Sequence, residues 1–381
     1  MVSTMNYTAD DVLRVARRRN NKKRQYLLVN PLQGKHVPVS PTAALSMMAA
    51  LGARVKEAFP TARLVIGFAE TATAIGAAVA AKLSPDCVYI QTTREATPGV
   101  TKWLDFLEEH SHAPEQRLAA DGLEAHLAAT DTVVFVDDEL STGRTLCNIL
   151  AQMKRELPVL REKKLVAASL LNRLTEADTA RLEAQGAECI CLVKLPEADY
   201  TAQAERFAVR GAVDCTQAAG EPMYRRMPAE RFATPRQGVF IGEYVAFWEA
   251  VGRKMAVQLG EDAAGDVLVL GTEECMMPGL LVGRALERSG ARSVHFHATT
   301  RSPIGIAAAE GYPVRSGWRI RSLYGDDREN YIYNLRRYDA VLIVSDTLCP
   351  EREALRSLLH ALEENGCRRV FYLGGKEAAD V

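Results

Sequence analysis

The sequence predicts an α/β protein made of two successive doubly wound parallel sheets. Three observations carry that expectation. Short hydrophobic strands alternate with amphipathic helical stretches. The alternation fades between about residues 212 and 238 and then resumes. Three pairs of short segments recur in the same order in both halves. A length of 381 residues fits two or three domains. With 48% hydrophobic and 25% charged residues, a disordered or collagen-like chain is excluded.

In chain order, YLLVN (26–30) and KHVPV (35–39) bracket a Pro-Leu-Gln-Gly turn and predict a hairpin. Ser40-Pro41 supplies an N-cap and first-turn proline for a helix through Glu57. Strands follow at 63–68, 87–92, 132–138, 165–171 and 189–195, with helices from Thr71 to Leu83, from near Gly143, and up to Gln185. The Pro-, Gly- and charge-rich stretch 212–238 reads as a linker between a domain at 1–211 and another at 239–381. Beyond it, strands are expected at 266–271, 293–299, 338–346 and 369–375, with helices over 278–289 and 351–365.

LVIGFAETATAIG (64–76) parallels LVLGTEECMMPGL (268–280), and YIQTTREATPG (89–99) parallels HFHATTRSPIG (295–305). TDTVVFVDDE (130–139) parallels RYDAVLIVSDT (337–347) with one shift. The shared G-x-x-E and T-T-R, in the same order, favour a true repeat.

The sharpest motif is Val133-Val134-Phe135-Val136-Asp137-Asp138-Glu139-Leu140-Ser141-Thr142-Gly143-Arg144-Thr145. A buried strand runs into two acids, a hydroxyl-rich loop and a helix start. Free backbone N–H groups and the helix dipole at such a start suit a phosphate. Two carboxylates at the carboxyl end of a parallel strand suit a sugar diol. The competing reading is a strand–turn–helix with an acidic cap.

This motif resembles the phosphoribosyl pyrophosphate (PRPP) signature of type I phosphoribosyltransferases. The resemblance covers about residues 20–200 and implies that fold, a parallel doubly wound sheet with an N-terminal hood of the orotate type. It further implies that Asp137 and Asp138 hold the ribose hydroxyls and Mg²⁺. PRPP is then expected to touch Glu139, Leu140, Ser141, Thr142, Gly143, Arg144 and Thr145, and the loop Glu70, Thr71, Ala72 and Thr73 on its pyrophosphate side. Arg94, ending the next strand in T-T-R, would act with Asp137 and Asp138 in catalysis. Lys35 and His36 are expected at the acceptor. Thr300-Arg301-Ser302-Pro303 matches the tetrapeptide that names the TRSP domain, which follows one phosphoribosyltransferase family in bacterial tellurium-resistance and stress gene clusters. Ser345-Asp346-Thr347-Leu348-Cys349-Pro350 keeps one acid and lacks S-T-G-x-T, so the second half is expected to be a degenerate copy without a PRPP loop.

The expected activity is Mg²⁺-dependent transfer of phosphoribosyl from PRPP to an unidentified base-like molecule. The alternative is a PRPP-binding regulator without turnover. Arg301 stands as a phosphate or carboxylate ligand or an interdomain salt bridge. His295 and His297 share a strand face without a third ligand, and 108–112 lies in a long charged loop that could be a lid. The run Arg17-Arg18-Arg19…Lys22-Lys23-Arg24 reads as a solvated helix end beside an anionic site. A net charge of −1 advertises no nucleic-acid partner, and no apolar run approaches the ~18 residues of a membrane span. Eight cysteines without a C-x-x-C pair, and a basic N-terminus without an apolar core, lead us to expect the cytoplasm. A homodimer is also expected.

Overall fold

Hydrophobic runs at the predicted positions build two parallel sheets with the same strand order. A computed structural model describes residues 6–19, 24–106, 116–220, 223–228, 230–325, 328–347 and 350–377. In the first half, Val88–Gln91, Leu64–Gly67, Thr132–Leu140, Lys164–Asn172 and Ala187–Lys194 lie side by side, all parallel. In the second, Ser293–Ala298, Asp266–Gly271, Ala340–Ser345 and Val370–Glu377 repeat that order. Every residue of Leu64–Gly67 and of Ala340–Ser345 is buried, as strands covered on both faces require.

The registers fix the equivalence of the halves. Gly67 lies opposite Val136, and Gly271 opposite Val344, so Asp346 stands where Asp138 does and Ser345 replaces Asp137. The strand ends share one hydrogen-bond pattern. Ala69 N–H donates to Thr92 Oγ1 at 2.8 Å, and Glu273 N–H to Thr299 Oγ1 at 3.0 Å. Packing repeats too: a Cβ on Gly76 would lie 2.9 Å from the Tyr89 ring, and one on Gly279 2.7 Å from the Phe296 ring. The sequence repeat is therefore a structural repeat.

Between the second and third core strands each half inserts an antiparallel hairpin, Trp103–Phe106 with Gln116–Ala119 and Gly317–Arg321 with Glu329–Tyr333. The candidate lid at 108–112 lies outside the described residues.

Two sequence readings change. Tyr26–Val29 pairs with Arg14–Arg17, not with 35–39, so the N-terminal hairpin uses residues read as a helix end. The turn at Pro31–Gly34 instead carries the chain to the other half, where Val39 pairs with Phe296. The stretch read as a linker is also largely structured. Val213–Asp214 joins Trp318–Arg319, and Arg225–Arg226 and Glu230–Phe232 run parallel to Val370–Glu377. Low periodicity misled here because these strands have only two or three residues each.

The halves exchange edges. Val239–Phe240 pairs with Val88–Tyr89 of the first sheet, just as Val39 pairs with the second. Each pairing segment then enters a long helix, Pro41–Ala58 or Ile241–Leu259. The first starts as predicted, with Pro41 in its first turn and Ser40 Oγ accepting the Ala43 N–H at 3.3 Å. This cap is worth about 1 kcal/mol. One apolar cluster runs through both halves, from Leu51 and Tyr89 to Trp248 and Phe296.

Candidate active site

Three loops leave the carboxyl ends of adjacent parallel strands in the first half, where open α/β sheets place ligands. They carry Glu70, Arg94 and Asp137–Thr145.

Asp137 and Asp138 end the central strand. Asp137 Oδ1 accepts the Asp138 N–H at 2.9 Å. Burial, together with the charge of Asp138, pushes Asp137 well above the usual carboxylate range. Burial and the charge of Glu139 raise Asp138 as well. Such a pair is costly to ionise unless a cation or hydroxyl donors come to it. Ser141 is half-buried and Thr142 exposed, and Gly143 at φ +66° caps the helix Arg144–Glu156. Arg144 and Thr145 are exposed, and the first-turn N–H groups of this helix lack intrahelical partners. A side chain at Gly143 would meet both a left-handed backbone and Leu182 Cδ1 at 2.9 Å.

Several expected ligands have other work. Glu139 is clamped by Arg24 at 2.8 Å and Arg173 at 3.2 Å, tying the N-terminal hairpin to the sheet edge. The Leu140 side chain is core, packed among Leu146, Leu174 and Leu182. Ala72 and Thr73 are buried, and the Thr73 hydroxyl donates to Glu274 O at 2.9 Å. Thr71 O accepts from Gln33 at 2.9 Å. Glu70 is buried between Lys35 and Arg301. Burial opposes its ionisation, but Lys35, Arg301 and Arg94 outweigh that and hold its pKa below the usual range.

Lys35, expected at the acceptor, lies buried at the junction of the halves with its ammonium engaged. Its ammonium is buried, pairs with Glu70, and donates to Glu273 O at 3.0 Å and Thr299 O at 2.9 Å. A fully buried ammonium needs such acceptors, and the two carbonyls lie in the other half. His36 is also buried, and neither ring nitrogen has a hydrogen-bond partner among the described residues. Burial, then the charges of Lys35, His297 and Arg18, push its pKa down to about 3, so the ring is neutral at pH 7. His295 contacts Arg336 and Tyr338, while His297 is pinned between the carbonyls of Gly34 and Tyr333. The histidine pair is thus structural.

Arg94 lies exposed at the rim, its side chain making no hydrogen bond or ion pair among the described residues. Its backbone N–H donates to Glu274 Oε1 at 2.8 Å.

The corresponding place in the second half is filled from within. Arg236 binds Glu274 at 3.1 Å, Asp346 at 2.5 Å and Thr93 Oγ1 at 3.0 Å, and Tyr324 donates to Asp346. Sequence reading missed Arg236 because it lay in the supposed linker. A signal was present: Pro235-Arg236-Gln237-Gly238 repeats Pro31-Leu32-Gln33-Gly34.

Residues 12–198 match the family model described as phosphoribosyl transferase, and residues 234–362 match the TRSP domain found C-terminal to it. The chain belongs to this phosphoribosyl transferase family. Its solved likenesses include orotate phosphoribosyltransferase from Aeropyrum pernix, 17% identical over 48% of this chain and 88% of that one, at TM-score 0.31. Another is the adenine enzyme of Giardia lamblia with 9-deazaadenine, 16% identical over 49% and 96%, at TM-score 0.35. No curated protein matches the chain. The half matched by the transferase model carries the open acid pair and hydroxyl loop, and the TRSP half carries the filled counterpart. No described helix is long and apolar enough to cross a membrane.

The family implies Mg²⁺. Among the described residues no group of three or more His, Cys, Asp and Glu could hold a metal. Two adjacent carboxylates with raised pKa values still fit Mg²⁺, which takes one or two carboxylates and completes its shell with water and substrate oxygens.

Proposed function

We propose that the chain transfers the phosphoribosyl group of PRPP to a base-like acceptor and releases pyrophosphate. The observation that carries this reading is the partly buried Asp137–Asp138 pair beside the uncapped helix start and the hydroxyl-bearing residues Ser141, Thr142 and Thr145. In the reaction a bond forms from acceptor nitrogen to the ribose anomeric carbon as the bond to pyrophosphate oxygen breaks, and the acceptor's proton leaves to solvent water. Asp137 and Asp138 orient the ribose through its hydroxyls and would hold Mg²⁺, which when bound supplies positive charge to the pyrophosphate oxygens. Ser141, Thr142, Thr145 and the helix start hold the 5-phosphate. Arg94 meets the negative charge that grows on the leaving group.

A cleft of about 630 Å³ beside this loop, lined by Arg24, Tyr26, Ser141, Thr142, Arg173 and Thr201, offers the acceptor a place. The TRSP half supports placing the activity in the bacterial stress and tellurium-resistance setting that its motif implied.

Incubation with PRPP, Mg²⁺ and a panel of bases should release pyrophosphate and yield one ribonucleotide. PRPP binding by calorimetry without release for any base would favour the regulator. No PRPP binding would overturn both readings.

A further inference from the structure

The junction between the halves gathers five carboxylates, Glu70, Glu95, Glu273, Glu274 and Asp346, with the cations Lys35, Arg236, Arg301 and Arg328. Exposed Arg94 stands beside them, its charge felt by Glu70. With Arg94 counted the cluster is neutral by number, but it is sorted by depth. The carboxylate side chains are at most 8% exposed, whereas Arg301 is 19% and Arg328 25% exposed. Among the described residues of this cluster, the groups that reach solvent furthest are therefore guanidiniums.

Both TRSP-half arginines point at the first half. Arg328 donates to Glu95 Oε2 at 2.7 Å, and Glu95 directly follows Arg94. Arg301 binds the other Glu95 oxygen, approaches Glu70 Oε2 at 3.7 Å and donates to Glu273 Oε2 at 3.0 Å. Arg328 also precedes the strand Glu329–Tyr333, whose Tyr331 and Tyr333 pack with Ala16, Leu27 and Val29 of the N-terminal hairpin. The second half thus reaches the first site both at its hood and at its pyrophosphate loop.

We propose that Arg328, backed by Arg301, is a pyrophosphate-binding residue that the TRSP half supplies to the site of the first half. The proposal rests on the transferase reading. In the unliganded protein Glu95 neutralises Arg328. Pyrophosphate, with more charge and more acceptor oxygens than a carboxylate, competes for the same fork of N–H donors. A merely structural bridge would behave differently, because it would fail equally when broken from either side.

The test uses the full chain in Mg²⁺ buffer, with calorimetric titrations of inorganic pyrophosphate, ribose 5-phosphate and PRPP. Arg328→Gln should weaken pyrophosphate at least tenfold and leave ribose 5-phosphate unchanged. Arg328→Lys should recover part of that loss. Glu95→Gln, which removes the competing charge but keeps an acceptor, should tighten pyrophosphate about twofold or more. Unchanged pyrophosphate affinity in Arg328→Gln would overturn the proposal, as would equal weakening of pyrophosphate and ribose 5-phosphate. Equal losses of pyrophosphate affinity in Arg328→Gln and Glu95→Gln would reduce the contact to a bridge. If the unaltered chain bound none of the three ligands, the transferase reading itself would fall; if it bound them and Arg328→Gln did not differ, only this proposal would.

Discussion

The two halves share strand order, register, edge exchange and even the hydrogen bonds at their strand ends, yet they treat the same position oppositely. At the end of the third core strand the first half leaves Asp138 raised in pKa beside Asp137, with exposed donors following. The second half gives the equivalent Asp346 to Arg236 and Tyr324. The acids that the proposed function gives to a ligand are short of protein partners, and the acid at the junction is saturated. One scaffold thus carries an open acid pair in one half and a filled place in the other. There Ser345 stands in for the second acid, and Arg236 and Tyr324 take up the acid that remains.

The largest expected effect tests the filled site. Arg236→Met would strand the buried Glu274 and Asp346 without their cation. Breaking a buried pair from one side costs about 3–5 kcal/mol. Urea denaturation should show that loss, and a change below about 1 kcal/mol would mean that Arg236 is not what holds the second site closed.

The next sharpens the contrast through ligand binding. Asp137→Asn with Asp138→Asn should weaken PRPP at least tenfold, about 1.4 kcal/mol. Asp346→Asn should leave PRPP affinity alone while lowering the denaturation midpoint. Calorimetry should give one PRPP per chain; two would show that the second half still binds.

A third effect is kinetic and confined to the open half. On the proposed transferase reading, exposed Arg94 meets the leaving group, so Arg94→Ala should lower kcat more than it raises KM, since charge accumulates in the transition state. Full kcat with a raised KM would make Arg94 a ground-state ligand only.

How legible this was depended on locality. Strands such as Asp266–Gly271 and the acid–hydroxyl loop at 137–145 are written in contiguous residues, and hydrophobic runs and turn chemistry expose them directly. The registers even justify the one-residue shift needed to align Asp138 with Asp346. What escaped was long-range. Lys35 looks like a hairpin-tip cation until the fold brings Glu70, Glu273 and Thr299 around it. Arg236, Glu95 and Arg328 sit in unperiodic segments, and their partners lie 38 to 233 residues away. Charge pairing across a domain junction leaves no period in the sequence, so a turn repeat such as P-x-Q-G was the only local trace.

The smallest expected effect concerns the stability of the unliganded chain. Asp137 has its pKa raised well above the usual value, chiefly by burial and then by Asp138, so the folded protein holds a proton that the unfolded chain releases more readily. Stability from such a group is fully present below its unfolded pKa of about 3.9 and is lost as pH rises through the higher folded value. Near neutral pH and above, the ionised pair therefore works against folding, and Asp137→Asn should raise the melting temperature of the unliganded protein there. The gain should shrink as pH falls toward 4, where protonation does the work of the substitution. In the second half the sign reverses, because Asp346 is paired with Arg236 and Asp346→Asn removes a favourable contact at neutral pH. Melting curves of Asp137→Asn across pH 4–8, beside Asp346→Asn at pH 7, would show this contrast. A destabilising Asp137→Asn at pH 8 would mean that Asp137 is already satisfied without a ligand, and the contrast between open and filled acids would fail at its central residue.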